Sequence, residues 1–163
     1  MTFSRMIVLA FSTVLIACDP PNYIFEKSND YSLEMPWTVA DSLEYNFQVK
    51  DTSRYYNLLL EIDHHKDYKY ENLYVKFVTT FPNQSHKTDV VSLSMADESG
   101  SWYSDCRGRT CTFYLTLQEH AIFSEPGSYQ IKLSPWMRMD TIPDIYRVAF
   151  KVEKAGKRQN LNK

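Results

Sequence analysis

Three cysteines are the residues of this chain best placed by type and spacing to do chemistry, and they divide into one plus two. Cys18 closes the tetrapeptide Leu15-Ile16-Ala17-Cys18, behind an apolar run from Met6 to Ile16 and a single positive charge at Arg5. A run of about eleven residues is too short to cross a bilayer as a helix, which takes roughly 20, but it suits the hydrophobic part of a secretory signal. Small residues before a cysteine are what a lipoprotein signal peptidase accepts. The thiol takes a diacylglyceryl group, and cleavage frees an amine for a further acyl chain. The alternative is an ordinary secretory signal in which the cysteine is incidental. Charge, apolar run and tetrapeptide stand in the order that lipidation of Cys18 requires. Several buried acyl chains, at about 0.8 kcal/mol per methylene, make such an attachment permanent.

Cys106 and Cys111 are then left in an oxidising compartment. They bracket Arg107-Gly108-Arg109-Thr110, read as a four-residue hairpin loop with Gly where positive φ is wanted. The spacing predicts a disulfide across the hairpin, with Cα atoms within about 4.4–6.8 Å, worth about 2 kcal/mol for so short a loop. Metal binding by the two thiols is the weaker alternative, because no histidine stands nearby. The pair His64-His65, beside Asp63 and Asp67, reads as a polar turn. On a strand the two imidazoles would point to opposite faces and could not chelate one ion. Only His86 and His120, both in polar turn regions, could complete such a site. There is no Gly-x-Ser-x-Gly, no Gly-rich phosphate loop and no cysteine at a strand-to-helix turn. Nothing in the sequence asks for catalysis, a metal or a cofactor.

The elements around these residues are strands. Period-two alternation runs through Leu43–Val49, Tyr56–Ile62, Leu73–Phe81, Val91–Met95, Phe113–Leu117, Tyr129–Leu133 and Tyr146–Val152, with a weaker segment at Tyr23–Glu26. Turn signals separate them at Asp51-Thr52-Ser53, Pro82-Asn83, Asp97-Glu98-Ser99-Gly100 and Glu125-Pro126-Gly127. Gln118–Ser124 is read as one possible helical turn. One apolar and one polar face per strand means antiparallel sheets wet on one side. Seven or eight such strands predict an all-β, single antiparallel β-sandwich or jelly-roll-like domain. The organisation read from the chain is a signal peptide over 1–17, lipidated cysteine and stiff spacer over 18–22, the sandwich over 23–154 and a flexible basic tail over 155–163. Cleavage before Cys18 shortens 163 residues to 146, and the 18 basic and 20 acidic residues become 17 and 20, a net charge near −3. That balance argues against nucleic acid as a partner, since phosphate binding needs a concentrated positive surface.

Two segments carry large aromatics beside polar groups: Tyr68, Tyr70 and Tyr74 around Asn72, and Trp136-Met137-Arg138 before Pro143. Exposed, they would stack sugar rings or anchor a protein; buried, they would cover the sandwich edges or fill its core. Tyr68, Tyr70, Asn72, Trp136 and Arg138 are the binding candidates, and the reading requires at least two of Tyr68, Tyr70, Trp136 and Arg138 to share one exposed surface.

From Cys18-Asp19 to about Glu153 the chain resembles the gliding-motility lipoproteins of the GldH type found in Bacteroidota. The matching stretches are Asp51-Thr52-Ser53 with Tyr55-Tyr56, His65 through Val75, Asp97-x-x-Gly100-x-Trp102, Gly127-x-Tyr129, Met137-Arg138 and Ile142-Pro143-x-Ile145. Three features depart from that family. Asp144 stands where it usually has Gly, Ser134-Pro135-Trp136 replaces a glutamine-bearing segment, and the Cys106/Cys111 hairpin replaces a glycine-rich stretch. The resemblance implies a lipid-anchored protein of the cell envelope, linked to gliding motility and type IX secretion and acting through other envelope proteins; that no acidic run follows Asp19 argues for a periplasm-facing position. A membrane-tethered carbohydrate-binding module is the competing function.

Overall fold

The computed structural model of the protein describes residues 21–158. The expected signal peptide, Cys18, the first half of the spacer and the last residues of the tail lie outside the described residues. Within them there is no helix, and eleven strands run β1 (Tyr23–Asp30), β2 (Trp37–Thr38), β3 (Leu43–Val49), β4 (Arg54–His65), β5 (Asn72–Thr80), β6 (His86–Ser94), β7 (Asp105–Arg107), β8 (Thr110–Ala121), β9 (Gly127–Pro135), β10 (Thr141–Ile142) and β11 (Ile145–Lys157).

Two antiparallel sheets face each other, ordered β1-β11-β4-β8-β7 and β3-β9-β5-β6, with β10-β2 as a small ribbon. The main strands pass back and forth between the sheets in jelly-roll order. The alternation seen in the sequence is the packing. Leu43, Tyr45, Phe47 and Val49 are buried and the residues between them exposed. Tyr45 and Phe47 of β3 meet Phe150 of β11, with ring centroids 5.1 and 6.3 Å apart, and Phe25 of β1 closes this side against both. Outside, Arg147 pairs with Asp63 at 2.7 Å and Glu61 at 3.2 Å, and Lys151 with Glu61 at 2.6 Å and Glu26 at 3.0 Å, so charges bind β1, β11 and β4 together.

The turns share one chemical device. In Asp51-x-Ser53, Asn83-x-Ser85 and Asp97-x-Ser99 the side-chain oxygen of the first residue accepts both the amide and the hydroxyl of the serine, at 2.6–2.9 Å. These bonds favour the ionised form and hold the carboxyls of Asp51 and Asp97 below the usual range. Two tyrosines then tie turn to sheet: Tyr56 donates its hydroxyl to the Asp51 carbonyl at 2.7 Å, and Tyr129 to the Glu125 carbonyl at 2.8 Å. Asp144 sits at φ +63°, which accounts for glycine at that place in the resembled family and for aspartate as a tolerated substitute.

Several boundaries differ from the sequence reading. β4, β8 and β11 outrun their apolar patterns because backbone pairing continues where side chains turn polar. β8 therefore occupies Gln118–Ala121, where a helical turn was expected. β11 reaches Lys157 by pairing with Arg54, so the basic tail begins three residues later than expected. His64 and His65 end β4 instead of forming a turn. The hairpin is tighter than predicted: Arg107 and Thr110 pair, leaving only Gly108-Arg109 as the turn, with Gly108 at φ +64° in the first position as a type II′ turn requires. Cys106 and Cys111 face each other one step in and form the disulfide. Their Cα separation of 3.9 Å lies below the expected window.

Along β1, Tyr23 is level with Glu153 and Asn57, and Asp30 with Arg147 and Asp63. The spacer therefore joins at one end of the sandwich. The ribbon β10-β2 sits at the other, where Val39 donates its amide to the Asp140 carbonyl.

Candidate interaction groove

At that far end the chain leaving β9 folds over the outer face of β5. Pro135 is the last residue of β9, paired with Val75, so its missing amide costs nothing beyond the strand end. The Trp136 amide then donates to the Tyr74 carbonyl at 2.8 Å, and the Tyr74 amide meets the Met137 sulfur at 3.3 Å. Met137 and Met139 pack down on the core, leaving Trp136 55 % exposed beside an exposed Arg138. The result is an open groove of about 800 Å³ floored by Tyr74, Lys76 and Ser134 and walled by Val39, Tyr70 and residues 135–139.

The groove is aromatic and positive. Lys76 Nζ stands 4.6 Å from the Trp136 ring centroid, and Arg138 lies in the wall. Among the described residues no carboxylate lines the groove, and Arg138 forms no ion pair. Arg138 is therefore exposed and not engaged with a buried carboxylate among the described residues.

Of the sequence-derived candidates, Tyr70, Trp136 and Arg138 meet in this groove. Tyr68 does not. It is 4 % exposed, packed edge-on to Tyr70 and tilted against Trp102 and His64. Its hydroxyl is buried with no partner among the described residues, and burial raises its pKa. The correction follows from chain direction: the turn after His65, in which the Tyr68 amide bonds the His65 carbonyl, sends this ring inward. Asn72 is half-buried at the start of β5 opposite Ser94 and does not line the groove. Tyr74 and Lys76 were missing from the candidate set, although their alternation with buried Leu73, Val75 and Phe77 marks them as outward-facing.

His64, the residue most suggestive of chemistry, is fully buried. Its Nδ1 lies 2.9 Å from the His65 carbonyl and donates to it. Burial lowers the pKa of the ring and favours its neutral form, in which Nε2 accepts from the Ser104 hydroxyl at 2.8 Å. Trp102 covers it at 4.7 Å and donates Nε1–H to the Lys66 carbonyl. No three of His, Cys, Asp and Glu stand together as a metal site among the described residues, and no helix there is long and apolar enough to cross a membrane.

The described residues form a disulfide-pinned jelly roll with an aromatic, cationic groove at the end away from the N-terminal spacer. Residues 23–152 match the family described as GldH lipoprotein, which covers nearly all of the folded domain. The chain belongs to that family. A relative named "Gliding motility lipoprotein GldH homolog", from Christiangramia forsetii, is 21 % identical over 155 residues, covering 91 % of this chain and 94 % of its own. A solved chain of Desmodium yellow mottle tymovirus aligns over 100 % of this chain and 98 % of its own, at 10 % identity and a TM-score of 0.23, too low a likeness to define a shared fold.

Proposed function

We propose that this protein is held in the cell envelope by lipid on Cys18, faces the periplasm, and works in gliding motility or the type IX secretion machinery by binding other envelope proteins, without catalysis. Family membership supports the lipoprotein and gliding assignments. The observation that carries the binding role is the groove, where Trp136 is exposed at 55 % beside an unpaired Arg138. Aromatic and arginine side chains dominate interface energies because they bury much area at low entropic cost and still hydrogen-bond.

The decisive experiment is Arg138→Ala and Trp136→Ala in the full-length lipoprotein, read by crosslinking in intact envelopes and by motility or secretion. Both variants should keep the wild-type melting temperature and lose the crosslinked complex. Variants that retain the complex, or lose it only by unfolding, refute the assignment. A carbohydrate-binding role is the second reading, favoured by the outer face of the β3-β9-β5-β6 sheet, where Gln130 donates to Asn46 at 2.9 Å and Tyr74 is exposed. Saturable binding of soluble glycans, abolished by Trp136→Ala, would favour it over the protein-binding role.

A further inference from the structure

The two sides of the sandwich are not equivalent. On one, Phe25 bridges β1 to Tyr45 and Phe47 of β3. On the other, β8 and β6 are the facing edges, and a slot of about 320 Å³ runs between them to Phe77, Ile131 and Phe150 of the core, past Leu58, Val91 and Leu117. The slot is neutral: the charges at its mouth, Lys87 and Asp89, cancel in an ion pair at 3.0 Å.

The β8 edge, which reaches the slot at Leu117 and Gln118, is unpaired. β8 runs Thr110–Ala121, but β7 covers only Thr110–Thr112, so Phe113 onward has no neighbour on that side among the described residues. The disulfide ties Cys106 of β7 to Cys111 of β8 just beyond the turn. Hydrogen bonding alternates along an antiparallel edge, and the hairpin closes on Arg107 and Thr110, so the backbone groups of Thr112, Tyr114 and Thr116 point to this side. Thr112 is covered by Asp105; Tyr114 and Thr116 are not. Phe113-Tyr114-Leu115-Thr116-Leu117 contains no charge, proline or glycine, the devices that usually blunt a sheet edge. An irregularity in the pairing ends the regular edge where Leu58 and Leu59 face Gln118 and Thr116.

We propose that the β8 edge from Phe113 to Leu117 accepts an extended strand from a partner protein, with apolar side chains at alternate positions that enter the slot. The unpaired amides select a backbone, which an acyl chain lacks. The neutral slot selects aliphatic side chains on the inward face, spaced about 6.6–6.8 Å apart in a strand. A second copy docked through its own β8 would pair the edge but leave the slot unfilled, because its inward Phe113, Leu115 and Leu117 already face its own core. Strand addition uses main-chain bonds for affinity and alternate side chains for selectivity.

The probe is a nine-residue acetylated and amidated peptide alternating Val with Thr, with a terminal Lys for solubility, added to the full-length protein in detergent. Amide exchange at Tyr114 and Thr116 should be fast without peptide and slow with it. Replacing each Val by Ser, or the central residue by Pro, should abolish the protection, and neither change touches the folding of the protein. Thr116→Pro removes an edge-facing amide that β4 does not use and should weaken peptide binding about tenfold or more. The proposal fails if the Ser peptide protects as well as the Val peptide, or if the peptide binds without protecting Tyr114 and Thr116. Protection that rises with protein concentration in the absence of peptide would assign the edge to a second copy and also overturn it.

Discussion

Gly127→Ala offers a test of how tightly this fold is specified, because one atom is added at a place where backbone and neighbour both object. Gly127 opens β9 at φ +145°, a region essentially restricted to glycine, and a Cβ built there would lie 2.9 Å from Cβ and 3.0 Å from Cγ of Pro82. Backbone strain of this kind costs about 1–3 kcal/mol. Carbon atoms in contact prefer about 3.5–4.0 Å, and Pro82 is a rigid ring in the β5–β6 turn, so relief requires the turn to move, at about 1–3 kcal/mol for overpacking. Together these give about 2–6 kcal/mol, a large share of the roughly 5–15 kcal/mol that holds a domain folded. The control is Gly156→Ala in β11, where a Cβ meets nothing within 4 Å and φ is ordinary; this should be neutral or stabilise by up to about 1 kcal/mol. Denaturant unfolding of both variants measures the difference. If Gly127→Ala is no less stable than Gly156→Ala, the contact between β9 and the Pro82 turn is not a constraint and the reasoning is wrong.

Cys111→Ser should lower stability by about 2 kcal/mol without unfolding the domain, because β7 adds only three residue pairs to the sheet; reductant should shift the wild-type denaturation midpoint and leave the variant's unchanged. Tyr129→Phe, which leaves the Glu125 carbonyl without its hydroxyl donor, should cost about 1–3 kcal/mol in the same assay. His64 is neutral in the fold and has a lowered pKa, whereas the unfolded chain protonates near about 6.5. As pH falls through that value the unfolded state takes up a proton the folded state refuses, so stability drops. His64→Gln should reduce the slope of stability between pH 7 and 5; an unchanged slope would mean that His64 does not contribute to it.

What the sequence disclosed and what it hid follow from how each feature is encoded. Leu43 to Val49 was legible because alternation is a direct consequence of one face being buried. The three Asx-x-Ser turns and the hairpin disulfide were legible because their chemistry is local. β2 and β10 were hidden, since two residues carry no period, and their pairing joins Trp37 to Ile142, far apart in the chain. The ends of β8 and β11 were hidden because backbone pairing needs no apolar side chain. Tyr68 was misjudged for the same underlying reason: the path of the turn after His65, and not the residue type, decides whether its ring faces solvent. Trp136 and Arg138 were found by composition, whereas the groove they share with Tyr74 and Lys76 exists only because Pro135 ends β9 and the next three residues fold back across β5.

The placement of spacer and groove at opposite poles sets a reach. The eight residues of β1, at about 3.3 Å each, separate the two poles by about 26 Å. With lipid on Cys18, the four residues to Asn22 add at most about 14 Å when fully extended. The sandwich is the longer of the two contributions, so it acts as a boom of constant length on a short mooring. Given that anchor and the proposed groove contact, a partner would meet the groove at most about 40 Å above the bilayer. Spacer length would trim that height by single residues, and the jelly roll itself would hold it steady against load.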